Sequence, residues 1–153
     1  MKPIPEGFEL VPPRGGFTPG IADLYVKREG EGIVRGVRVE PRHLNVAGIA
    51  HGGFLATMMD STFGNSLSHT GRRGFTVRLV TDYLSPAKRG DWLEGRARIT
   101  RATQTLAFLE GELTVEGRVV IKGQAVFALR QKKGPADRWI QGPGSQSGAT
   151  TEA

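Results

Sequence analysis

The chain has 153 residues, with 22 Gly, 9 Pro, no Cys and a formal net charge of +6. That length fits one domain, and the lack of cysteine excludes disulfides, thiolate metal sites and a cysteine nucleophile. A basic balance suits nucleic acid, anionic lipid or a phosphorylated small molecule. The cations are scattered, however, and aromatics make up only 7% of the residues, so a base-stacking platform and a nucleic-acid partner are not expected.

Met1 to Gly7 lack a basic start followed by an apolar run, so no secretory signal is read there. No apolar run approaches a membrane span. A soluble, cytoplasmic protein without a membrane partner is expected. Residues 1–20 are rich in Pro and Gly without a period and read as an irregular arm. Leu24 to Lys27 and Ile33 to Val39 flank Gly30-Glu31-Gly32, a hairpin pattern. In the second strand Ile33, Val37 and Val39 share one face and Arg38 points the other way. Gly52 to about Ser68 carries Phe54, Leu55, Met58, Met59, Phe63 and Leu67 at three- and four-residue spacings. It reads as the one long helix, apolar over much of its circumference and largely buried. Phe75 to Leu84 reads as a strand with Phe75, Val77, Leu79 and Tyr83 on one face. Trp92 to Ile99 alternates Leu93, Ala97 and Ile99 against Glu94, Arg96 and Arg98. Leu106 to Val115 and Val119 to Leu129 form a second hairpin through Glu116-Gly117-Arg118. The domain spans 21–133. Residues 134–153 read as disordered, with Trp139 and Ile140 able to dock back. One long helix among antiparallel strands gives an α+β fold, with the sheet wrapped about the helix.

Asp60 stands in the middle of the apolar helix, where an aspartate is both a poor helix former and costly to bury. Gly53, Ala56, Thr57, Asp60 and Gly64 fall on one stripe, which leaves room for a substrate beside the carboxylate. The alternative is a solvent-facing Asp60 or one with a structural hydrogen bond. Upstream, Asn45 to Gly53 leads into the helix start, where unpaired N–H groups carry positive partial charge and can stabilise the oxyanion formed on an attacked carbonyl. A tight turn explains the Gly pair equally well. Gly52 and Asp60 lie near two helical turns apart, and a substrate along the helix could span both. The His residues at 43, 51 and 69 have no metal-ligand spacing. No GxSxG elbow, P-loop or dinucleotide fingerprint occurs. No metal or cofactor is expected. His51 reads either as a base or as a capping group.

The ordered set Asn45-x-x-Gly48-x-x-His51-Gly52-Gly53, then Asp60, Thr76 and Tyr83-Leu84-Ser85-Pro86-Ala87-x-x-Gly90 resembles the PaaI-like branch of the hotdog-fold thioesterases, over roughly Asp23 to Arg130. The resemblance implies a curved antiparallel sheet around one helix. It also implies a homodimer with joined sheets, often a homotetramer, and active sites at the subunit interface. The implied reaction is hydrolysis of an acyl-CoA thioester. Asp60 would be nucleophile or general base, and the Gly52 amide, alone or with that of Gly53, would polarise the carbonyl. Asn45 would orient the water or carbonyl and His51 would hold that geometry. Thr76 would come from the partner subunit or a facing strand. Thr57 and Gly53 would line the substrate. Candidate cations for the CoA phosphates are Arg72, Arg73, Lys88, Arg89 and Arg78, the last read on the same strand face as Thr76. Two alternatives share the fold. One is a non-catalytic acyl-CoA-binding module, although no output domain is visible. The other is a hydratase or dehydratase, whose His–carboxylate motif has no counterpart here.

Overall fold

The computed structural model describes residues 2–130. The segment read as disordered, with Trp139 and Ile140, lies outside the described residues. The elements in order are β1 (Glu9–Leu10), α1 (Phe17–Ile21), β2 (Leu24–Glu29), β3 (Gly32–Arg38), a 3₁₀ turn (Pro41–His43), α2 (Gly52–His69), β4 (Gly74–Tyr83), β5 (Trp92–Ala102), β6 (Leu106–Val115) and β7 (Arg118–Leu129). The strands form one antiparallel sheet in the order β1-β2-β3-β5-β6-β7-β4.

The helix α2 buries Phe54, Leu55, Met58, Met59, Thr62, Phe63, Ser66 and Leu67. These are pairs repeating every four residues, one face of the cylinder. They meet Leu93, Leu109, Leu113, Ile121, Ala125 and Phe127 from the sheet. Each Leu, Ile, Phe or Met among them stabilises the fold by about 1.5–3 kcal/mol when fully buried. Gly123 allows the close approach, because a Cβ there would stand 2.9 Å from Met59. The opposite face carries Gly53, Ala56, Thr57, Asp60, Ser61, Gly64, Asn65 and Ser68, none of them buried. The expectation of a largely buried helix therefore holds for one face only. The sheet wraps a single side, and the small and polar residues lie open.

Residues 2–20 contain β1 and α1 rather than irregular chain throughout. The reason lies on the outer face of the sheet. Val34 and Trp92 are apolar there and need cover, and Phe8 supplies it, with its ring centroid 5.1 Å from that of Trp92. Gly36 leaves the space that both rings occupy. Arg38 points outward, as its strand phase requires. It lies over Trp92 and donates to the carbonyls of Gly90 (3.0 Å), Lys2 (3.2 Å) and Pro3 (2.6 Å), pinning the arm.

At the far edge, β4 pairs among the described strands with β7 alone, and exposes Phe75, Val77, Val80 and Tyr83. A bulge falls between Thr76 and Arg78. Thr76 pairs with buried Phe127 and Leu79 with buried Ala125, so both face the helix, and Val77 is the extra residue. The bulge moves the strand phase by one. Phe75 and Leu79 consequently do not share a face, contrary to the uninterrupted alternation read from the sequence. Arg78, paired with Val126, faces away from Thr76, which corrects the shared face expected for those two residues.

Candidate active site

Asp60 lies on the open face of α2 and is half-buried. The Thr76 hydroxyl donates to its Oδ1 at 2.6 Å. Of the two origins expected for Thr76, the facing strand of the same chain supplies it. No hydrogen bond engages Oδ2 among the described residues. Both residues line a cavity of about 480 Å³, together with Arg35, Ser61, Asn65 and Ser68. A larger groove on the outer sheet face, about 550 Å³, is lined by charges such as Arg96, Arg98, Glu110 and Lys122 and does not include Asp60.

The start of α2 is held from two sides. The His51 Nδ1 accepts the Gly53 N–H at 2.9 Å, a side-chain N-cap. The Tyr83 hydroxyl donates to the Gly52 carbonyl at 2.9 Å. These two bonds fix both ends of a single peptide unit. Of the two amides expected at the carbonyl, that of Gly53 is engaged by His51. The Gly52 N–H, the first amide of the helix, makes no hydrogen bond among the described residues and stays available. The Asn45 Oδ1 accepts from the amides of Ala47 (2.9 Å) and Ile49 (3.4 Å), closing the loop before the helix. Its Nδ2 makes no hydrogen bond among the described residues. Thr57 donates its hydroxyl proton to the Gly53 carbonyl, 2.9 Å away.

Two supporting residues take no role from the sequence. Tyr83 opens the Tyr83-Leu84-Ser85-Pro86-Ala87 motif but reads there only as an apolar strand position. His43 is buried and stacked on Phe54 at 4.0 Å. Its Nδ1 accepts from the Glu40 amide at 3.0 Å, so its Nε2–H donates to the Ile21 carbonyl at 2.9 Å. The His43 carbonyl accepts the His51 N–H at 2.8 Å. His43 thereby anchors the capping residue.

The cation candidates separate. Ile49 bridges to Lys88, which places Lys88 and Arg89 beside the Asn45–Gly52 loop. Arg72 and Arg73 follow the other end of α2, an 18-residue helix about 27 Å long. Within one chain the two pairs therefore flank opposite ends of α2. Arg78 lines the outer face with Phe108 and Gln124. Gly52 and Asp60 are likewise about 12 Å apart along the helix axis, too far to serve one carbonyl in one chain.

Residues 47–122 match the model of the thioesterase superfamily. Acyl-coenzyme A thioesterase 13 of Mus musculus is 34% identical over 98 residues, which cover 61% of this chain and 70% of that protein. The chain belongs to the thioesterase superfamily. Its sheet around a single long helix is the hotdog fold of that superfamily. A hypothetical thioesterase of Streptococcus pneumoniae, solved with coenzyme A, has a TM-score of 0.67 and 26% identity, covering 72% of this chain and 91% of that one. The phenylacetic acid degradation protein PaaI of Thermus thermophilus, solved as a point mutant, has a TM-score of 0.66 and 26% identity, covering 74% of this chain and 96% of that one. The pneumococcal thioesterase was also solved with an aspartate and, separately, a threonine changed to alanine, sixteen positions apart. Asp60 and Thr76 have the same separation.

Proposed function

We propose that the protein hydrolyses an acyl-CoA thioester to the free acid and CoA in a site completed by a second copy of the chain. The observation that carries this is the Asp60–Thr76 pair, held at 2.6 Å beside a cavity on a helix face left open among the described residues. Thr76 fixes Oδ1 and leaves Oδ2 to act. As a nucleophile, Oδ2 would attack the carbonyl carbon, expel the CoA thiolate and form an anhydride that water opens. As a general base it would take a proton from the attacking water, and the thiolate would leave with a proton from solvent or from the aspartic acid. Either way, charge builds on the carbonyl oxygen, where the Gly52 N–H of the other chain and the Asn45 amide would meet it.

The second copy is needed because an oxyanion donor and an attacking carboxylate must both reach one carbonyl, each at roughly 3 Å. The two groups in a single chain are separated by about 12 Å. The unpaired β4 edge, with Val77 58% exposed, is where an antiparallel partner strand would join the sheets. A homodimer is the smallest assembly that meets both requirements, and a dimer of dimers is compatible with it. Lys88 and Arg89, beside the Gly52 loop, are then candidates to meet the CoA phosphates.

A thiol-release assay over short, long and aryl acyl-CoAs tests the reaction. Binding of acyl-CoA without thiol release would point to the non-catalytic module instead. Single-turnover hydrolysis in heavy-oxygen water separates the two roles of Asp60. Direct attack delivers an enzyme carboxylate oxygen to the product acid when water opens the anhydride at the Asp60 carbonyl, whereas a general base never does.

A further inference from the structure

Arg35 occupies the β3 phase shared by Ile33, Val37 and Val39, the face turned to the helix. A cation there breaks an apolar alternation. Its Nη2 reaches the Ser61 hydroxyl at 3.4 Å, a long contact, and its Nε is buried without a hydrogen-bond partner. No carboxylate among the described residues forms an ion pair with it. Arg38 and Arg96 are different: Arg38 donates to three carbonyls and Arg96 binds Glu29 and Glu94. Desolvation lowers the Arg35 pKa to about 10, so it stays charged at neutral pH without a counter-ion. A half-buried cation whose Nε is sealed from solvent is costly in that condition unless something else pairs with it.

Arg35 opens onto the cavity that holds Asp60. Ser61, Asn65 and Ser68 lie along the same wall and can add hydrogen bonds, while Phe127 and Gly64 supply apolar surface. We infer that Arg35 is the seat for a carboxylate at the far end of the acyl group, so that the cavity selects acyl thioesters of short dicarboxylic acids. This rests on the thioester-hydrolysis reading of the same cavity. The guanidinium offers a planar fork of donors that fits a carboxylate in two parallel bonds. Ser61, its one contact, adjoins Asp60 in sequence, so the seat is a short chain's reach from the reacting carbonyl. The ester end meets Asp60 and carries no charge, which keeps the two carboxylates apart.

The test compares succinyl-, glutaryl- and adipyl-CoA with butanoyl-, pentanoyl- and hexanoyl-CoA, each pair matched in chain length. The wild-type kcat/KM should favour at least one dicarboxylic ester over its neutral match by ~10–100-fold, the worth of a charge-assisted hydrogen-bond pair. Arg35→Gln should bring that ratio close to one, and Arg35→Lys should keep part of it. Wild-type enzyme that turns over the neutral esters as well or better overturns the proposal, whatever the variants do. A ratio unchanged in a folded Arg35→Gln protein overturns it too. If no thioester is cleaved, the hydrolysis reading fails and the seat is tested separately with free glutarate and pentanoate. A Tm rise with glutarate alone, lost in Arg35→Gln, sustains the anion seat, and its absence overturns it.

Discussion

The Thr76 hydroxyl donates to Asp60 Oδ1 at 2.6 Å, and it does so from an edge strand whose phase has just been reset by a bulge at Val77. Without that extra residue, the alternation that brings Leu79 against the core would carry Thr76 to the outer face. The bulge thus lets one strand both pack its end and aim a hydroxyl at the carboxylate. It follows that Asp60 and Thr76 act as a unit with unequal shares. Asp60→Asn should reduce kcat by ~10²–10⁴-fold, the range of a general base, or more if the carboxylate is the nucleophile. Because Asp60 is only half-buried, its Tm should change little. Thr76→Val should cost ~10–100-fold through the lost bond to a charged group, while Thr76→Ser should stay near wild type. Steady-state kinetics with melting curves on the same samples would check all three, and a folded Asp60→Asn enzyme at wild-type turnover would remove Asp60 from the chemistry.

His51 acts through the peptide it caps. His51→Ala should lower stability by about 0.5–2 kcal/mol, the usual contribution of an N-cap, and should lower kcat because the Gly52–Gly53 peptide loses one of its two anchors. His51→Asn can cap as well and should recover both. If histidine were instead the catalytic base, Asn would restore stability and leave activity lost. The split between Tm and kcat in these two variants decides the matter.

Acid stability carries a small contribution from Glu29. Its hydrogen bond to Arg96 holds its carboxyl below the usual carboxylate range. A lowered folded-state value means the pair stabilises the fold above the ordinary carboxylate pKa and loses this as pH falls through the lowered one. Both side chains are well exposed, at 49% and 39%, so Glu29→Gln should cost no more than about 1 kcal/mol at pH 7. Denaturant titrations of wild type and variant should converge as the pH falls through the lowered carboxyl range. A constant difference at all pH values would show that the charge is not responsible.

The sequence carries the strands and the helix plainly because each has a clean period. Leu93, Ala97 and Ile99 alternate as a half-buried strand must, and Met58, Met59 and Phe63 repeat as a helix face does. It does not carry the bulge, because Phe75-Thr76-Val77-Arg78-Leu79 alternates well enough without one, and only the pairing to Phe127 and Ala125 reveals the shift. The same limit explains Arg78. Asp60 and the Gly52 loop are legible as an anomaly on a helix and as an ordered motif. Arg35 is not singled out by any motif, although a charge between Ile33 and Val37 in the core phase is its visible mark. Tyr83 and His43 support the helix start through contacts at long sequence separation, which no local pattern encodes.

The edge strand predicts an assembly. Val77 projects from the bulge of β4 with 58% of its surface exposed, beside exposed Phe75. Val77→Asp removes nothing from the monomer core, so the fold should survive. A charge there should oppose edge pairing between two copies. Sedimentation should show wild type as a dimer or larger and the variant shifted toward monomer, with activity falling in step. A wild-type protein that is monomeric and fully active would refute the shared site.

Subunit mixing tests that shared site most directly. Asp60 and Thr76 belong to one chain, and the Gly52 amide and Asn45 near it lie about 12 Å away along α2. In a two-fold dimer each site would therefore take Asp60 and Thr76 from one copy and Asn45 and Gly52 from the other. Mixing Asp60→Asn chains with Asn45→Ala chains then makes heterodimers with one doubly damaged site and one intact site. With equal amounts and free exchange, half the dimers are mixed, so activity should recover to roughly a quarter of wild type. Mixing Asp60→Asn with Thr76→Val should give no such recovery, because each site of that heterodimer still carries one defect. The second mixture controls for nonspecific stabilisation by exchange. Recovery in the first and not in the second assigns the residues to opposite copies. Recovery in neither, with exchange shown by differently tagged chains, would return the whole site to one subunit and require the helix start to act some other way.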